Sequence, residues 1–339
     1  MDNTNAAFTE QRGVVFQLQC RRAVVTDAII GATGFVGTNL CAQHDFTGKF
    51  HSRNISKIAG KAYDIVVCAA APATMWAANK DPDGDLHNIH ELLSHIERVD
   101  AERFVLISTI AVLAAPAGLD EATDQFETAK AYGRNRRFLE EACTDRFPRI
   151  HILRLPALFG TGLKKNFIYD ILNPVPSFLT AEKFAELADR LAGAAGEVLK
   201  RVYTYADNLK MYGCQRELLT GRDRTALTLA LQKAGFTATN FTHADSVFQF
   251  YALSRLWSDI GVVLNNDVAL VHLAPEPLRA GDVFRTLTGA AFESRTAAVY
   301  REDMRSMHTH LWNKTGAYIE DRQSVLANLK AFHEENMQS

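Results

Sequence analysis

The chain lacks the marks of a metal protein, a membrane protein or a nucleic-acid binder. Its five cysteines (Cys20, Cys41, Cys68, Cys143, Cys214) are odd in number, scattered and free of CxxC spacing. That excludes a disulfide framework and a zinc site, and reads as reduced, mostly buried thiols of a cytoplasmic protein. His308 and His310 alternate in a polar stretch without a third ligand, so no metal is expected. No apolar run approaches the roughly 20 residues needed to cross a bilayer. Lys+Arg number 37 against 39 Asp+Glu, a net charge of −2 that gives nucleic acid or an anionic membrane nothing to grip. Residues 1–22 are polar and lack a charged-then-apolar secretory signal; they read as a poorly ordered N-terminal extension. Internal repeats, low-complexity tracts and heptad runs are also missing. What remains is an ordinary globular composition, 47% hydrophobic over 339 residues, enough for a large α/β unit with a smaller partner.

The richest signal is Ala28-Ile-Ile-Gly31-Ala-Thr33-Gly34-Phe35-Val36-Gly37. Ala23 to Ile30 is β-branched and apolar, as a buried parallel strand requires, and it runs into glycines spaced GxxGxxG before a helix opens at Thr38. Such glycines serve a tight turn, close approach of backbone to a pyrophosphate, and packing of helix on strand, while the helix N-terminus offers free N–H groups. Gly31, Thr33, Gly34, Phe35, Val36 and Gly37 are therefore the expected dinucleotide cradle. Lys49 to Arg53 reads as the second strand, where an NAD site usually shows an acidic residue for the ribose; Ser52 and Arg53 stand there instead and favour NADP over NAD. Tyr63 to Ala71 reads as a third strand whose small end, Ala69, Ala70 and Ala71, leaves room for the cofactor. A helix over Leu86–Ile96 and a strand from Arg103 ending at Ser108-Thr109 follow. Strands alternating with helices behind a glycine loop predict a Rossmann-type, doubly wound parallel sheet over residues 23–165.

These residues resemble an extended short-chain dehydrogenase/reductase, more narrowly the NAD-dependent epimerase/dehydratase group acting on nucleotide sugars. The resemblance is carried by GATGFVG at 31–37, Ser108-Thr109, Tyr132-Gly-Arg-Asn-Arg136, Asn88 ahead of Leu92-Leu93, and Ile152-Leu-Arg-Leu-Pro-Ala-Leu-Phe-Gly-Thr-Gly162. It implies hydride chemistry at a carbinol carbon, with Ser108 or Thr109 positioning the substrate oxygen and Tyr132 moving its proton. It also implies that Asn88, Pro156 and Leu158 lie along the cofactor, and that subunits pair as a homodimer. A phenol of pKa about 10 needs a nearby cation to work as a base near neutrality, and residues four apart share a helix face. The family places a lysine there; this chain has Arg136, which keeps the charge but cannot relay a proton. Arg136 is expected either to hold the ribose and bias Tyr132 toward phenolate, or to leave a site that binds the dinucleotide and turns over slowly.

Beyond Gly162 the resemblance thins. Residues 166–339 read mainly as a helix-rich substrate cap, with 246–275 returning to the Rossmann sheet. A helix over 163–172, helical spacing over 181–213 and 223–234, a strand entering a helix over 246–264 and a helix over 281–288 are expected. Lys164, Lys165 and Asn166 are candidates for a phosphate grip. The family's R-D-F is Phe248-Gln249-Phe250 here, with Arg255 the nearest substitute. Trp76, Trp257 and Trp312 read as core or pocket-wall residues. The resemblance therefore implies an NADP- or NAD-dependent reductase or epimerase of a small sugar, with a non-catalytic dinucleotide sensor as the alternative. A dehydratase ranks lower, because Ile110-Ala111 replace the acidic residue it needs.

Overall fold

The computed structural model describes residues 26–337. The N-terminal extension, Cys20 and the start of the first strand lie outside them. The chain runs β1 (Asp27–Ile30), α1 (Phe35–Gln43), β2 (Gly48–Phe50), β3 (Ala62–Cys68), α2 (Met75–Lys80), α3 (Pro82–Ile96), β4 (Asp100–Thr109), α4 (Ala131–Arg146), β5 (Ile150–Leu155) and β6 (Ala157–Phe159). Next come α5 (Phe167–Leu172), β7 (Phe178–Leu179), α6 (Ala181–Arg190), α7 (Ala194–Val202), β8 (Tyr203–Ala206), β9 (Met211–Cys214) and α8 (Gly221–Lys233). The remainder is β10 (Val247–Phe248), β11 (Phe250–Ala252), α9 (Leu256–Asn265), β12 (Leu270–His272), β13 (Leu278–Arg279), α10 (Ala280–Thr288) and α11 (Arg322–Met337).

Six strands form one parallel sheet in the order β12-β5-β4-β3-β1-β2. Successive strand residues feed opposite cores. Ala28, Ile30, Val66, Cys68, Phe104 and Leu106 pack with Ile89, Leu93 and Leu139 of α3 and α4. Ile29, Ile65, Val67, Val105 and Leu153 pack with Leu40, Leu256, Ile260 and Val263 of α1 and α9. The period of two along each strand thus builds a three-layer sandwich. The chain turns back at β1, with β2 on one side and β3 on the other, so the crevice of this doubly wound sheet opens at the carboxyl ends of β1 and β3.

The second strand is shorter than expected. It covers Gly48–Phe50, and Ser52 and Arg53 sit in the exposed turn after it. The link back to β3 holds one 3-10 turn, Ile55–Ile58, in place of a full helix. The third strand ends at Cys68, leaving Ala69–Ala71 as loop. Expected helices shift as well: α3 starts earlier, with Pro82 at its first turn and Asp81 accepting from the Gly84 N–H, and α5 begins only at Phe167.

The cap corrects the reading most. Residues 181–213 are not one helical stretch: two short helices give way at Tyr203 to β8 and β9, which with β7 form a three-stranded antiparallel sheet. Leu187, Leu199, Val202, Leu227 and Leu231 close a separate core there. Within 246–275, β11 pairs with β6, and β12 extends the main sheet beside β5.

One buried ion group fixes α4 to the sheet. Glu140, fully buried, accepts from Arg154 on β5 through Nε at 2.9 Å and Nη2 at 2.6 Å, from Arg137 at 3.1 Å, and from the Ser108 hydroxyl at 2.6 Å. Arg154 also donates toward His272 Nε2 at 3.2 Å, tying in β12. Removing one member of such a group strands a buried charge. Glu140→Gln is therefore expected to lower unfolding free energy by about 3 kcal/mol or more, and Ser108→Ala by about 1 kcal/mol, measured by urea denaturation.

Candidate active site

The glycine loop is tied into the sheet: Gly31 and Ala32 N–H both donate to the Phe50 carbonyl at 2.8 and 3.0 Å, and Gly34 N–H to the Gly31 carbonyl at 3.0 Å. Gly37 has no room for a side chain, because a Cβ there would overlap the Gly31 carbonyl. Gly34 caps α1 without any side-chain acceptor, so the first N–H groups of that helix point free at the crevice. Thr33 and Gly34 are exposed, whereas Phe35 and Val36 pack partly against the α1–α9 core. Asn39 backs the loop by donating to the Phe35 and Thr161 carbonyls, both at 2.8 Å. The Arg53 side chain is exposed at the end of β2. A free helix N-terminus, a loop no larger residue can fill and an exposed guanidinium at the second strand's end fit a phosphorylated dinucleotide.

The tyrosine helix lies on the other side of the crevice. Gly133 lets α4 approach the turn after β4, since a Cβ there would strike the Ala111 carbonyl. That contact brings Tyr132 beside Thr109, whose hydroxyl helps to draw the phenol's pKa down. Asn79 of α2 accepts the Tyr132 N–H at 2.9 Å. Of the two strand-end hydroxyls, Ser108 donates to Glu140 at 2.6 Å, and Thr109 lies beside the phenol. Burial pushes the Tyr132 phenol above its usual pKa; Arg136 and the Thr109 hydroxyl pull it down, and Asp85 opposes them.

Arg136 does not sit free to reach a ribose. One Nη donates to the Asp85 carboxylate and the other to the Pro72 carbonyl, and the guanidinium lies 4.2 Å above the Tyr132 ring centroid. Lys130, two residues ahead of Tyr132, caps α4 from the exposed side. Asp85 escaped the sequence reading, yet a signal was there. It lies on the same face as Ile89, Leu92 and Ile96, a lone acid on an apolar stripe. Glu140, eight residues after Tyr132, was missed as well.

The other candidates divide. Lys165 reaches the loop after β3 and donates to the Ala73 carbonyl, with desolvation lowering its amine from the usual lysine value. Lys164 is exposed, as is Asn88 on α3. Asn166 is occupied locally: its side chain accepts from the Ile168 and Tyr169 N–H groups and donates to the Leu158 carbonyl at 2.8 Å. Pro156 is buried, and Leu158 leans on the α1–α9 core. Arg255 is committed to two carboxylates, Asp259 at 2.8 Å and Glu320 at 2.7 Å. Trp76 is no core residue: it is 45% exposed and meets Phe178 of the cap edge-on at 6.2 Å.

A parallel sheet with a glycine loop at its switch point and a tyrosine helix across the crevice defines a Rossmann-type dinucleotide-binding protein. Residues 50–175 match the NAD dependent epimerase/dehydratase family. No curated protein sequence matches the chain. Solved structures similar in fold include dTDP-4-dehydrorhamnose reductase from Bacillus anthracis str. Ames in complex with NADP, 13% identical with TM-score 0.59, covering 92% of this chain and 99% of that one. UDP-N-acetylglucosamine 4-epimerase from Methanobrevibacter ruminantium M1 in complex with UDP-N-acetylmuramic acid is 10% identical with TM-score 0.60, covering 92% and 98%. UDP-galactose 4-epimerase is 11% identical with TM-score 0.58, covering 92% and 99%. At such identities the likeness is one of fold.

A second carboxyl bears on stability. Glu302 accepts from the Gln249 N–H at 3.3 Å beside β11, and burial pushes it up to about 7. Its folded pKa lies above its unfolded one, so the stability it lends below about pH 4.5 is lost as pH rises through 7. Glu302→Gln should raise stability at pH 8 by on the order of 1–3 kcal/mol and flatten the fall between pH 5 and 8, read from thermal melts across pH.

Proposed function

We propose that the chain is an NAD(P)-dependent reductase or epimerase of a nucleotide-linked sugar, with NADP the preferred dinucleotide. The observation that carries this reading is the close approach of α4 at Gly133 to the turn after β4, which sets Tyr132 beside Thr109 across the crevice from the Gly31–Gly37 loop. The family match over residues 50–175 and the fold shared with nucleotide-sugar epimerases and reductases support it. In this reading the N–H groups opening α1 hold the pyrophosphate, and Ser52 and Arg53 hold the 2′-phosphate. The dinucleotide supplies or takes up a hydride. Thr109 orients the substrate oxygen, and Tyr132 gives or takes its proton. In the same reading Lys165, whose amine donates to the Ala73 carbonyl beside the crevice, meets an anionic group of the substrate.

A second reading, a dinucleotide-binding protein with little turnover, draws on the commitment of Arg136 to Asp85 and Pro72. The two part in one experiment. With keto-sugar nucleotides and NADPH, the loss of 340 nm absorbance should depend on Tyr132, and Tyr132→Phe should slow it by roughly 10²–10⁴-fold while cofactor fluorescence still reports binding. Tight NADPH binding without turnover across that panel would favour the second reading. Arg53→Ala should weaken NADP about tenfold and leave NAD unchanged by isothermal titration, because one charge-assisted contact to the 2′-phosphate is lost.

A further inference from the structure

Arg136 sits in a closed polar box. Besides the contacts to Asp85 and Pro72 its Nε is buried without a hydrogen-bond partner among the described residues, and the whole side chain is 3% exposed. Asp85 is fixed in turn: it is 5% exposed, and its Oδ2 accepts from Asn135 on α4 at 2.9 Å as well as from Arg136. A carboxylate this deep on an apolar helix face is costly, and an apolar residue of similar volume would serve packing as well or better. Its cationic partner among the described residues, Arg136, lies over the phenol ring, 4.2 Å from the ring centroid. That combination points to the chemistry rather than to the fold.

We propose that Asp85 is a positioning residue: it holds the Arg136 guanidinium over the Tyr132 ring and offsets its charge there, which leaves Tyr132 protonated at rest and poised to donate to a carbonyl oxygen. The inference rests on the reading of Tyr132 as the proton carrier. An isolated cation beside a phenol favours phenolate, whereas a cation paired with a carboxylate acts as a short dipole whose effect is much smaller. Oxidation of a carbinol, with which an epimerase cycle begins, needs phenolate to accept a proton. Reduction needs the protonated form. In that reduction a C–H bond forms as hydride passes from the reduced nicotinamide dinucleotide to the carbonyl carbon. The C=O π pair moves onto oxygen, that oxygen takes the Tyr132 proton, and water reprotonates the phenolate.

Among the described residues, the polar groups around this pair are Thr109 at the end of β4, Asn79 of α2, Asn135 of α4 and Glu127 before it. Glu127 is already spent on the Ala129 and Lys130 N–H groups and a 4.0 Å contact with the Lys130 ammonium. Asp85 is therefore the carboxylate that decides the balance.

The test is a ¹³Cζ-tyrosine NMR titration of the full chain without cofactor, with the Tyr132 resonance assigned by its loss in Tyr132→Phe. Asp85→Asn keeps an oxygen acceptor for Arg136 and removes the charge, so the Tyr132 midpoint should fall by roughly half a pH unit or more. Arg136→Gln, which leaves Asp85 unpaired, should raise the midpoint, and the neutral double variant should lie between wild type and Arg136→Gln. That last comparison also serves if Asp85→Asn does not fold. A midpoint in Asp85→Asn equal to or above that of wild type overturns the proposal, as does a double variant above Arg136→Gln. If instead Tyr132→Phe leaves NADPH-dependent turnover intact, the functional reading itself fails, independently of the titration order.

Discussion

The constraint on which the site depends is the buried carboxylate of Glu140. It lies on α4 and gathers Arg154 from β5, Arg137 from its own helix and Ser108 from β4. Through Arg154 the group extends to His272 on β12, whose other ring nitrogen faces the Arg305 carbonyl, and burial holds that imidazole below its usual pKa. Four elements are thereby fixed at one point in a low-dielectric interior, where bidentate geometry and full hydrogen bonding are what make such a group tolerable. The helix so anchored carries Tyr132 two turns away. Displacing α4 would separate the phenol from Thr109.

Two buried ion groups on one helix divide the labour. Glu140 faces the sheet and sets the position of α4. Arg136, one turn earlier, faces α3 and the loop after β3, where Asp85 and Pro72 receive it. Each group arranges something else: a helix in the first case, the electrostatic surroundings of a phenol in the second. Three contacts reach the crevice from the side of the cap: Lys165 to Ala73, Lys80 to the Asn208 and Leu209 carbonyls, and Trp76 against Phe178. All three contacts converge on the segment 73–80, which joins the cap to the crevice of the sheet.

Much of the sheet is legible in the residues because burial on both faces demands continuous apolar runs, as in Ile65–Cys68 and Phe104–Ile107. The cap is less legible. Leu191, Val198 and Val202 keep a helical rhythm up to Tyr203, and nothing local announces that Thr204 and Tyr205 pair with Gly213 and Tyr212. Strand pairing there depends on partners several residues away, whereas helical spacing is written within one turn. Arg255 shows the same limit: a cation near a motif reads as a ligand until Asp259 and Glu320 are seen to hold it.

What the residues determine alone is what one element contains in itself. Examples are the glycines that admit close backbone approach at 31–37, the strand-end hydroxyls at 108 and 109, and the four-residue spacing that puts 132 and 136 on one helix face. Only tertiary packing decides which hydroxyl meets the phenol and which is turned to Glu140. It also decides that Asp85, 51 residues before Arg136 in the chain, is its counter-ion. The reason is physical: a charge's effect on a neighbouring group depends on separation and burial in space, and a one-dimensional chain does not encode those until it has folded.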